Sequence, residues 1–101
     1  MGVVKQVSKT KATCKVTFKL PKSVAQQGVK LLGDFNAWDA NASEAEMKQL
    51  KTGEFKAELN LAIGQTYAFR YLVDGTEWQN EPEADTQIVN EYGSENSVLV
   101  L

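Results

Sequence analysis

At 101 residues, 43% hydrophobic and 24% charged, the chain has the size and make-up of one ordinary globular domain, residues 1–101. Its formal net charge of −2, carried by both signs, offers no basic footprint for nucleic acid or anionic lipid. There is no histidine, which removes the usual general base and the commonest metal ligand, so no catalytic, metal or cofactor site is expected.

No apolar run approaches the ~20 residues of a membrane span. The N-terminal Met1 to Lys5 lacks the charged and then apolar run of a secretory leader. One cysteine, Cys14, excludes an internal disulfide and fits a reducing compartment. These features together predict a cytoplasmic protein.

Along the chain, period-2 patterning dominates. Lysines 5, 9, 11, 15 and 19 crowd the first segment, and Lys11, Lys15 and Lys19 alternate with apolar residues as a solvated strand face would. Cys14, Val16, Phe18 and Leu20 form the opposite face, with Cys14 read as a small core residue, until Pro21 stops the strand. The first 28 residues fit an opening strand. Val29 to Leu32 is a short apolar run ended by Gly33. Asp34 to Glu46 is irregular, although Ser43-Glu44-Ala45-Glu46 resembles a capping box and predicts at most one helical turn. Met47 to Lys51 is weakly patterned. After Thr52-Gly53, Phe55, Ala57, Leu59 and Leu61 alternate with Glu54, Lys56, Glu58 and Asn60. Gly64 marks a turn; then Tyr67, Phe69, Tyr71 and Val73 share one face and Ala68, Arg70 and Leu72 the other. Asp74-Gly75 signals a hairpin, with Thr76 to Gln79 as its returning arm. Asn80 to Asn96 is irregular, and Val98 to Leu101 closes the chain as a buried strand. About seven short strands separated by turn signals predict an all-β antiparallel sandwich.

Trp38 and Trp78 both lie just outside strand patterns. Tryptophan is usually mostly buried, so each fits a cap on the end of the core. An indole is also a wide apolar plate with a polar edge, suited to the C–H face of a pyranose ring. Arg70 shares a hairpin with Trp78 and points away from the aromatic face, where its planar set of donors suits sugar hydroxyls. The carboxylates sit singly in strand or loop positions and suggest no acid–base pair.

Four segments in series carry a resemblance: Gly33-Asp34-Phe35-Asn36-Ala37-Trp38; Gly53 to Gly64; Tyr67 to Gly75 followed by Trp78; and Asn90 to Val100. From Gly33 to Leu101 the chain resembles carbohydrate-binding module family 48, the isoamylase N-terminal or early-set type. That type is also found in the β subunit of AMP-activated protein kinase. The resemblance implies an immunoglobulin-like sandwich that binds α-1,4-glucan (glycogen, starch, maltooligosaccharides) without catalysis. It matches the family's two stacking tryptophans to Trp38 and Trp78, its basic strand residue to Arg70, an apolar last-loop residue to Tyr92, and a hydroxyl and an asparagine to Ser94 and Asn96. Arg70 and Tyr92 depart from the lysine and leucine of the kinase version, and Thr76-Glu77 adds one residue before Trp78.

Two expectations follow. The first is a free-standing glucan-binding module that tethers partners, such as a glycogen-metabolising enzyme, to glycogen, with little dependence on salt. The second is a degenerate early-set domain that docks onto an enzyme or associates with itself without binding sugar, adding Val98 to Leu101 to another sheet if that edge is unpaired.

Overall fold

The cleanest alternation in the sequence forms the centre of one sheet. In the computed structural model, which describes residues 2–8 and 12–101, β2 (Thr13–Leu20) buries Cys14, Val16, Phe18 and Leu20 and turns Lys15 and Lys19 outwards. Lys9 and Lys11 lie outside the described residues. β5 (Phe55–Ala62) pairs antiparallel with β2, Phe55 opposite Leu20 and Leu61 opposite Cys14. β1 (Gly2–Val7) and the two-residue β4 (Lys48–Gln49) complete a sheet of order β1-β2-β5-β4. On its outer side Lys15 and Lys56 both reach Glu58, and hydrogen bonds from Lys56 and then Lys15 hold that carboxyl below the usual glutamate range.

The second sheet is built on β6 (Thr66–Val73), which buries Phe69, Tyr71 and Val73 completely. β3 (Val29–Gly33) lies along one edge of β6. The other edge is shared: β9 (Glu95–Val100) pairs with Thr66 to Phe69 and β7 (Glu77–Gln79) with Tyr71 to Val73. β8 (Thr86–Val89) pairs with the far side of β9. The whole is an all-β sandwich of two antiparallel sheets of four and five strands, consistent with an immunoglobulin-like fold. Between the sheets Phe18 meets Phe69 edge-on at 5.2 Å, and Phe69 meets Tyr71 at 5.8 Å. Such buried aromatics each stabilise the fold by about 1.5–3 kcal/mol through burial.

Three expectations change. Among the described residues there are nine strands, not about seven, because the first 28 residues hold two strands, β1 and β2, and the irregular stretch 80–96 holds β8. β1 is an edge strand exposed from Val4 to Val7, so it shows no clean alternation. The inward residue of β8 is Gln87, whose amide donates to the Glu81 carbonyl and accepts from the Ser97 hydroxyl, so its pattern is polar where a core strand would be apolar. The third change concerns Val98 to Leu101. β9 pairs with β6 as far as Val100 but with β8 only as far as Val98. Beyond that the Val100 amide donates to the Asp85 carboxylate and its carbonyl accepts from Lys5, so the outer side of the segment is bonded by side chains and not by a strand. The single helical turn expected after Ser43 is present as a 3₁₀ turn, Ser43–Ala45.

One polar network lies inside the core. Glu81 is fully buried; its carboxylate accepts from the Tyr71 hydroxyl at 2.8 Å and from the Glu83 amide at 3.0 Å, while its own N–H donates to the Ser97 hydroxyl at 2.8 Å. Burial first, and then the charge of Glu81, push the Tyr71 phenol far above its usual range. These bonds moor the chain between β7 and β8 to the sheet beneath it. They therefore set where the neighbouring Trp78 and Asn80 emerge.

Candidate functional site

The segment Gly33 to Trp38 is a device for presenting one indole. At Gly33 the backbone crosses β6 so closely that a Cβ would stand 2.5 Å from the Ala68 carbonyl oxygen and 2.8 Å from the Phe69 Cβ. Only glycine fits. Asp34 then uses both carboxylate oxygens: one accepts from the Ala68 amide at 2.8 Å, the other from the Trp38 Nε1–H at 3.0 Å. Phe35 turns inwards against Phe18 and Tyr67. Asn36 closes the loop, accepting from the Gly33 amide at 3.0 Å and donating to the Leu31 carbonyl at 2.8 Å. Ala37 (φ 55°) and Trp38 (φ 58°) both lie in the left-handed region, a strain of about 1–2 kcal/mol for each non-glycine residue that the surrounding bonds hold in place. With its one N–H engaged by Asp34, Trp38 offers a ligand its ring and not a donor.

Trp78 stands on β7 opposite Leu72, on the outer face of the second sheet, and is 43% exposed. The turn before it needs two left-handed residues, Asp74 (φ 52°) and Gly75 (φ 76°). The Asp74 carboxylate accepts from the amides of Gln27, Gln26 and Gly28, which together hold its pKa below the usual aspartate value. Arg70, on the same outer face, places its guanidinium carbon 5.5 Å from the Trp78 ring centroid and donates from Nε to the Asn80 Oδ1 at 2.9 Å.

The third wall is the loop between β8 and β9. Asn90 organises it: Oδ1 accepts from the amides of Tyr92 (2.9 Å) and Ser94 (3.2 Å), the Asn90 amide donates to the Ser94 carbonyl, and Gly93 supplies the left-handed turn at φ 79°. The Asn90 side-chain amide also donates to the Asn96 Oδ1 at 3.2 Å. Tyr92 rides at the tip, 85% exposed.

These three walls enclose one open groove of about 610 Å³. Trp38, Arg70, Trp78, Tyr92 and Asn96, five of the six residues singled out from sequence, line it together. Ser94 does not; its backbone closes the loop behind Tyr92. Asp34, Asn90 and Glu91 also line the groove and were not singled out. The Asn-x-x-Gly spacing of Asn90 and Gly93 is the signal that marks that turn in sequence. For the two tryptophans the core-cap reading gives way, since Trp78 is substantially exposed and Trp38 half-buried.

Among the described residues no three His, Cys, Asp or Glu side chains cluster to hold a metal ion, and no helix is long and apolar enough to cross a membrane. No protein-family model matches the chain, and no curated protein matches it in sequence.

Proposed function

We propose that this groove binds an α-1,4-glucan chain such as glycogen, starch or a maltooligosaccharide, and that the protein is a non-catalytic carbohydrate-binding module. Membership of carbohydrate-binding module family 48 is part of the same proposal. One observation carries it: Trp38 and Trp78, 40 positions apart in sequence, line a single open groove with Tyr92 beside them. Aromatic faces suit the apolar faces of successive glucose rings. Around them Arg70 brings donors, and Asn90 and Asn96 bring amide groups, for the sugar hydroxyls. An open groove on a sheet face suits a chain that enters and leaves at both ends. Glycogen in the cytoplasm is the proposed setting, in keeping with the single free, buried Cys14.

A small, open contact of this kind implies modest affinity, a Kd of roughly micromolar to millimolar, or about −4 to −8 kcal/mol. Titration with maltoheptaose, followed by intrinsic tryptophan fluorescence, is expected to give a saturable change that Trp78→Ala abolishes. Absence of any spectral change, together with unretarded migration in a glycogen-containing gel, would contradict the proposal. For the alternative of a protein-docking domain, the edge at Val98 to Leu101 is narrowed, because β8 pairs with β9 up to Val98 and Asp85 and Lys5 bond Val100.

A further inference from the structure

The charges of this chain are segregated along it. Residues 1–33 hold seven lysines and no carboxylate, whereas residues 71–101 hold seven carboxylates and neither lysine nor arginine. Five of the groove's eight lining residues (Trp78 and four from Asn90 to Asn96) come from that acidic third. Glu91 lines the groove directly, and among the described residues its carboxylate has no hydrogen-bond or ion-pair partner. Glu77 adjoins Trp78 on β7, and Glu95 adjoins Asn96 on β9. Asp34, a second carboxylate in the wall, accepts from the Trp38 indole N–H and the Ala68 amide. Two cations face them on the same side of the sheet. Arg70 is laid over the Trp78 ring with Nε bonded to Asn80, and Lys30 on β3 points its ammonium at the Ala40 carbonyl, 2.8 Å away, outside the groove.

From this arrangement we infer that the groove selects neutral sugar chains against anionic ones, above all glucans carrying phosphate monoesters, and that Glu91 is the main determinant. The inference rests on the glucan reading of the groove and narrows its substrate class. A phosphate carries close to two negative charges at neutral pH, and the groove it would enter is lined by the carboxylates of both Glu91 and Asp34. The one lining cation is already shared with an indole face and an asparagine. At about 6 Å through a water-like medium, each like-charge contact disfavours binding several-fold, and salt screens it.

The test compares maltoheptaose with maltoheptaose bearing a single 6-phosphate, by calorimetry at about 20 mM and at about 500 mM sodium chloride. At low salt the phosphorylated chain is expected to bind about five-fold more weakly, with the gap narrowing to about two-fold at high salt while the neutral chain responds little. Glu91→Gln is expected to shrink the low-salt gap, and Glu91→Lys to reverse the preference. Equal or tighter binding of the phosphorylated chain to the unaltered protein would overturn the inference and leave the glucan reading standing. So would a gap that neither salt nor Glu91→Lys alters. If the neutral chain itself does not bind, both fall together.

Discussion

The two loops that frame the groove are built on opposite principles. Gly33 to Trp38 is fastened to the core at nearly every residue: Gly33 by close approach to β6, Phe35 by packing on Phe18, Asp34 and Asn36 by four hydrogen bonds. Asn90 to Asn96 is fastened mainly to itself, through one asparagine, and its most prominent side chain stands in solvent. A pre-positioned ring loses little freedom when a ligand stacks on it, whereas a free ring must be ordered at that moment. Trp38 is therefore expected to supply a fixed platform, and Tyr92 an adjustable flap that adds less to affinity.

The most severe way to break this contrast is Gly33→Ala. Its methyl group would overlap the Ala68 carbonyl, so the loop must lift; a destabilisation of about 2–4 kcal/mol in a denaturant titration is expected, with glucan binding lost. Next comes Asp34→Ala, which frees the Trp38 ring and leaves the Ala68 amide unpaired. We expect binding to weaken about ten-fold by fluorescence titration, with a smaller loss of about 1–2 kcal/mol in stability. On the other wall, Tyr92→Ala should weaken binding only about two- to five-fold and leave the melting temperature unchanged, since an 85% exposed ring contributes almost nothing to the fold. If Tyr92→Ala proved as damaging to binding as Asp34→Ala, the contrast between a fixed and a free wall would be wrong.

The smallest effect expected is on pH dependence, and it concerns the turn that leads into Trp78. Three backbone amides, with that of Gln27 foremost, hold the folded pKa of Asp74 below its ordinary 3.8. A carboxyl whose pKa is depressed on folding stabilises the protein above its unfolded value, and that stabilisation disappears as pH falls through the folded value. The melting temperature should therefore be flat above about pH 5 and decline below about pH 4, the decline being shallower in Asp74→Asn.

Much of the architecture was legible because strands with one buried face must alternate: Cys14 to Leu20, Phe55 to Leu61 and Tyr67 to Val73 are found as read. The elements that escaped are those whose inward positions are polar or whose outward positions are apolar. Gln87 on β8 turns inwards to bond the Glu81 backbone carbonyl and the Ser97 hydroxyl, and Val4 and Val7 on β1 lie exposed on an edge strand. Glu81 is the sharpest case. Nothing in an isolated glutamate foretells full burial, which depends on the Tyr71 hydroxyl and the Ser97 side chain arriving from other strands. At the groove, Trp38, Arg70 and Trp78 stood out as chemistry-bearing residues displaced from the core pattern. The supporting roles of Asp34 and Asn90 did not, because short polar side chains in loops announce turns without saying what those turns hold.

The central claim, that both indoles bound one glucan site, has a direct spectroscopic readout. The chain has two tryptophans, so a ¹⁵N-correlated NMR spectrum holds two indole N–H signals, one for Trp38 and one for Trp78. Titration with maltoheptaose should move both signals along curves that fit a single Kd, while amides of the opposite sheet, such as Lys15 and Glu58, stay in place. An indole signal that does not move, or two signals that follow different affinities, would contradict the account.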